Sequence, residues 1–165
     1  MTRKRWYLVM NGLIALWLVA TVVVVLVHRF VPSGGWLMVH LLLLGAVSTA
    51  ILIWSQHFAD TLLRHTAPGG RAFHGIRLAG HTVGAGLVIA GVLLELWRLV
   101  VVGGFVVGVV AVAHVVTLAV QSRGALPARF APLVRYYIAA GLALIVGIGV
   151  IAGLLTAFLV AYFGI

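Results

Sequence analysis

The chain has 165 residues, of which 64% are hydrophobic and only 8% charged, and its mean hydropathy is +1.26; these values exclude a water-soluble domain. It has no cysteine, which excludes disulfides, thiolate nucleophiles, c-type haem attachment and iron–sulfur ligation. Asp60 and Glu95 are the only acids, so paired-carboxylate catalysis and a hard-metal oxygen cage are excluded too, and seven histidines are left as the main source of chemistry. The expected fold is all-α: a single polytopic transmembrane helix bundle of about five spans.

The first apolar run, near 7–27, follows a basic start, Arg3-Lys4-Arg5, and is too long for the apolar region of a signal peptide. His28 and Arg29 mark its far end. Pro32 and Gly34-Gly35 then make a turn. The second span runs near 36–55, with His40 close to its start and His57 just past its end. At about 1.5 Å per residue these two are roughly 25 Å apart, close to the thickness of a hydrocarbon core, so they cannot share one metal. A helical continuation through Phe58, Leu62 and Leu63 is expected to stop at Pro68-Gly69-Gly70. The third span lies near 75–97 and the fourth near 99–120. A turn is required because one helix through both would cross a bilayer twice; it falls near Glu95 to Arg98 or else near Gly103-Gly104, and the former gives two spans of workable length. Pro127 and Pro132 limit any helix in the next connection, and the last span lies near 136–163.

In this order Arg3, Lys4, Arg5, Arg64, Arg71, Arg77, Arg123, Arg129 and Arg135 fall at one membrane face, and Arg29 and Arg98 at the other. That bias predicts a plasma-membrane protein with a cytoplasmic N-terminus and an external C-terminus. The net charge of +9 is therefore read as topology and headgroup contact; no nucleic-acid partner is expected. Trp6, Trp36, Trp54, Trp97, Tyr136 and Tyr137 fall near span ends, as belt anchors do.

Histidine depth follows from this topology. His28 and His40 lie toward the outer face. His57, His65 and His74 lie at the inner edge, and His81 and His114 at similar depth on consecutive helices. An imidazole inside hydrocarbon needs a partner, and either a bound metal or an interhelical hydrogen bond to Thr82, Thr117 or a carbonyl would provide one. Small-xxx-small pairs at Gly80/Gly84, Gly104/Gly108 and Gly149/Gly153 favour close helix approach. Glu95 and Arg98 are read as an interfacial ion pair.

The segments VHLLLLGAVSTAILIWSQHFADTLLR and RGALPARFAPLVRYYIAAG resemble the membrane region at the front of actinobacterial membrane-bound multicopper oxidases of the copper nitrite reductase kind. That region is related to haem–copper-oxidase-like membrane proteins. The resemblance covers about half the chain. It implies His40 and His57 as span-two histidines, His114 as a later-span histidine, and Arg135-Tyr136-Tyr137 as an edge motif. The chain departs from the pattern in having no copper-oxidase domain, no H-x-H and no cysteine, so nitrite reduction is not assigned to it. The expectation is a haem b-binding, copper-associated redox protein in electron transfer or nitric-oxide or oxygen chemistry. His40, His114, His81 and His57 are its cofactor ligands, with His40 and His114 for a metal. Association with other membrane subunits, or with itself, is expected. The alternative is a non-catalytic scaffold or assembly subunit.

Overall fold

In hydrocarbon no water is available to backbone amides, so a chain this apolar must satisfy them within helices. The computed structural model describes residues 3–124 and 131–163. All its long elements are helical: α1 (Arg3–Val27), α2 (Gly34–Leu62), α3 (Gly70–Leu93), α4 (Trp97–Gly124) and α5 (Ala131–Phe163). Each of the five is long and apolar enough to cross a membrane. Pro127 and Arg129 lie outside the described residues, whereas Pro132 sits in the first turn of α5, where a missing N–H costs nothing.

The connections are short, and three bear a non-glycine residue in the left-handed region: Ser33 before α2, Arg64 after it, and Glu95 between α3 and α4. At the last of these the amide of Leu96 donates to Gly91 O at 2.8 Å, closing the end of α3. The expected turn is therefore at Leu94–Leu96. Among the described residues Glu95 makes no ion pair with Arg98, which corrects the reading of those two as a pair.

The central helix is α2. Its Leu52 and Ile53 pack with Leu78 of α3 and Val110 of α4, against Met10 and Ile14 of α1. One to two turns on, Ala59 and Leu63 pack with Leu118 of α4 and Val134 of α5. In contrast, only 6% of the most apolar stretch of α1, and of α5, is buried within the bundle.

The closest helix pair is α3 with α4, along a glycine seam. Gly80 faces Val110, Gly84 faces Val107 and Gly103, and Gly91 faces Val100. The Gly80/Gly84 pair packs as the sequence suggests, but its partner is Gly103. Gly104, Gly149 and Gly153 have open space beside them.

A Cβ on Gly103 would lie 2.6 Å from Gly84 O and 2.7 Å from Val88 N, backbone atoms that cannot move aside. Gly103→Val is expected to cost about 1–3 kcal/mol, read as a lower unfolding temperature in detergent. Gly86→Val, placed in open space, is expected to leave that temperature within a degree or two of the parent.

Candidate functional site

The bundle contains two polar arrangements, one toward each end of α2. At the end bearing most of the arginines, Arg77 of α3 is 4% exposed and His114 of α4 is 3% exposed. A buried guanidinium must have acceptors. Nη1 donates to His114 Nδ1 at 3.0 Å, and Nη2 donates to Gln56 Oε1 at 3.0 Å and to His74 Nδ1 at 3.3 Å. The Phe73 ring lies 5.2 Å from the guanidinium carbon. Of its three nitrogens, Nε alone is buried without a partner.

The opposite charge arrives through amides. Gln56 Nε2 donates to Asp60 Oδ1 at 3.0 Å and to Gln121 Oε1 at 2.9 Å. Gln121, fully buried, donates to the same Asp60 oxygen at 2.8 Å and to the carbonyl of His65. Gln56 thus accepts from the cation and donates to the anion, relaying an ion pair across α2.

These bonds fix a tautomer. Because an arginine only donates, His114 Nδ1 must carry a lone pair and Nε2 the proton. Nε2–H then donates to Ser55 Oγ at 2.8 Å, and the Ser55 hydroxyl donates to Ile51 O. Both nitrogens of His114 are engaged, leaving neither free to ligate while the network stands.

The second arrangement begins at a distortion in α2. Residues Leu41–Val47 form a π-helical segment, which carries an extra residue and leaves the α-ladder. Three contacts hold it. Trp17 of α1 packs on Gly45, where a Cβ would meet the indole at 2.6 Å. Ser48 Oγ donates to Leu43 O at 2.7 Å, and His81 Nε2–H donates to Leu44 O at 3.0 Å. His81 is 1% exposed, and its Nδ1 lone pair has no partner.

His40 immediately precedes this segment. Its Nδ1–H donates to Trp36 O at 2.9 Å, since a carbonyl can only accept, and its ring stacks on Trp36 at 3.8 Å. Nε2 is therefore the unprotonated nitrogen. His40 lines a groove of about 1180 Å³ between the first half of α2 and helices α4 and α5. Its walls are almost wholly apolar, among them Leu43, Val88, Phe105, Val109 and Leu144. His40 is the only histidine lining the groove among the described residues.

The four expected ligands are therefore not brought to one place. His81 and His114, expected at similar depth, are offset: Gly80 sits level with Val110, which puts His81 a turn away from His114, and each bonds a different part of α2. His57 Nδ1 pairs with the Tyr7 hydroxyl at 2.6 Å, beside Trp54. Thr82 and Thr117 bond carbonyls of their own helices. No group of three or more His, Cys, Asp or Glu that could hold a metal occurs among the described residues.

Arg77 is the main correction to the sequence reading, which placed it with the headgroup arginines. The buried network was signalled all the same. Gln56 and Asp60 are four apart, and His74, Arg77 and His81 fall at i, i+3 and i+7 on one face of α3. Comparison with protein-family models, with curated proteins and with solved structures gave no match.

Removing the guanidinium leaves the Asp60 charge and several acceptors without their donor. Arg77→Met is expected to destabilise the bundle by about 3 kcal/mol, and adding Asp60→Asn to recover part of that loss, both read by thermal unfolding in detergent. A single variant as stable as the parent would show that the network does not hold the helices.

Proposed function

We propose that this is an integral membrane protein that binds haem b in the apolar groove, with His40 as the ligand to iron, and that it serves nitric-oxide or oxygen chemistry or electron transfer. The observation that carries the reading is the state of His40. Nδ1–H is committed to the Trp36 carbonyl, Nε2 keeps a lone pair with no partner among the described residues, and the residue lines a large apolar groove. A histidine that ligates metal through one nitrogen while the other donates to a backbone carbonyl has its ring direction and basicity set in advance. The apolar walls suit an apolar macrocycle, and the volume of about 1180 Å³ lies above the roughly 300–1,000 Å³ of ordinary small-molecule sites, leaving room for a large cofactor.

Bound haem supplies one-electron chemistry and, where an axial position is left open, binding of a diatomic gas. The chain's part is to hold His40, through Trp36 and the π-segment, and to exclude water with the valine and leucine walls. Among the described residues the groove offers one imidazole, that of His40, which would hold the iron. For copper no three ligands converge among the described residues, so a copper-associated role rests on the resemblance of the histidine-bearing segments alone.

The bias of arginines supports a plasma-membrane location with the N-terminus cytoplasmic and the C-terminus outside. A second reading, the scaffold or assembly subunit, is favoured by a different observation. Gly149 and Gly153, four residues apart on one face of α5, have open space beside them, a small-residue pair fit for another membrane helix.

The absorption spectrum decides between the readings. Protein purified from cells with adequate haem is expected to show a Soret band, lost in His40→Ala and kept in His57→Ala. Absence of the band in the parent, or its persistence in His40→Ala, would overturn the haem assignment.

A further inference from the structure

A second cavity, of about 430 Å³, opens at the arginine-rich end between α1, α2 and the start of α3. It shares no lining residue with the groove. Trp6 and Tyr7 form one wall, and the polar lining includes Gln56, His57, Asp60, Arg64, Arg71 and His74. Arg64 and Arg71 are exposed and form no hydrogen bond or ion pair with a described residue. The one acid in the lining, Asp60, makes no ion pair with either arginine, and its Oδ1 accepts from Gln56, Gln121 and the Ala67 amide. The cavity therefore presents two uncommitted guanidinium groups.

Further features of the wall match an anion. His74 Nδ1 accepts from Arg77, so its Nε2 carries a proton. The first turn of α3 contains no acid; the amides of Gly70 and Phe73 already donate to Ala67 O and Gly69 O, which leaves those of Arg71 and Ala72 without an acceptor in the helix. The position also matters. Trp6 packs against His74 with ring centroids 6.1 Å apart, and the adjoining exposed surface of α3 is apolar at Phe73 and Ile76. A ligand seated here would have its charged end on arginines and its remainder along hydrocarbon-facing side chains.

We infer that this cavity is a binding site for the phosphate of an anionic phospholipid, held by Arg64 and Arg71 with the acyl chains along α3. Arginine pairs phosphate bidentately, and basic pockets between transmembrane helices bind anionic headgroups. The site is independent of the haem groove, and its test does not pass through haem.

The test titrates delipidated protein in detergent with phosphatidylglycerol and phosphatidylcholine, reading binding by native mass spectrometry and stability by thermal unfolding. Phosphatidylglycerol is expected to bind at least tenfold more tightly than phosphatidylcholine and to raise the unfolding temperature by several degrees. Arg64→Gln with Arg71→Gln is expected to abolish that preference, and Thr61→Trp, which fills the cavity without altering charge, to weaken it as well. Arg123→Gln with Arg135→Gln removes the same charge from exposed positions outside the cavity and is expected to leave the preference intact. Equal losses in the two arginine pairs would overturn the site in favour of diffuse headgroup attraction. Equal affinity for the two lipids would overturn it outright. Stabilisation by inorganic phosphate equal to that by phosphatidylglycerol would overturn the lipid assignment in favour of a soluble phosphate compound.

Discussion

The arrangement of the bundle depends on one guanidinium that cannot be left without acceptors. Arg77 lies inside a structure whose surroundings offer no water, where an unpaired charge costs far more than the packing of any single side chain. Its partners come from three sources at once: Gln56 on α2, His114 on α4 and His74 on its own helix. Meeting all three sets the rotation of α2, α3 and α4 about their axes. Asp60 adds the compensating charge without touching the arginine, through an amide that accepts on one side and donates on the other. The glycine seam between α3 and α4 then brings the backbones close enough for these reaches to close.

The same helix α2 that is pinned at one end is broken in its regular winding toward the other. An extra residue in a π-helical turn rotates the N-terminal half of the helix relative to the C-terminal half, by roughly the 100° that one residue subtends. His40 can therefore face the groove while Ser55, Gln56 and Asp60 face the network. Trp17 against Gly45, and His81 on the Leu44 carbonyl, hold that turn. The division gives the two halves of α2 different roles. One half has Ser55, Gln56 and Asp60 tied into the network. The other presents a single imidazole with a free lone pair to an apolar groove.

Much of this was legible in the sequence, for physical reasons. Five apolar runs separated by Gly, Pro and Arg leave few choices in a bilayer, so the helices follow directly, and the turn between the third and fourth falls at Leu94–Leu96, at the start of the preferred stretch and not at Gly103-Gly104. His40 stands out in the sequence as well, because it interrupts an otherwise apolar run, and the structure sets it in the lining of the groove. The fate of His114 was not legible. Linear depth places it near His81, but which atoms it meets depends on helix rotation, and rotation is set by Arg77, a residue that charge counting assigns to the headgroups. The π-turn was invisible because LLLLGAV has the composition of any apolar helix. Its existence depends on Trp17 and His81, which come from other helices.

In the proposed function one imidazole of this chain, that of His40, serves as the ligand in the groove, while His114 and His81 hold the helices in place. Resonance Raman spectroscopy of the reduced, haem-loaded protein measures this directly. The expected spectrum is that of five-coordinate iron, with an iron–imidazole stretching band that disappears in His40→Gly and returns on addition of free imidazole. A six-coordinate, bis-histidine spectrum, or a band unchanged in His40→Gly, would contradict it.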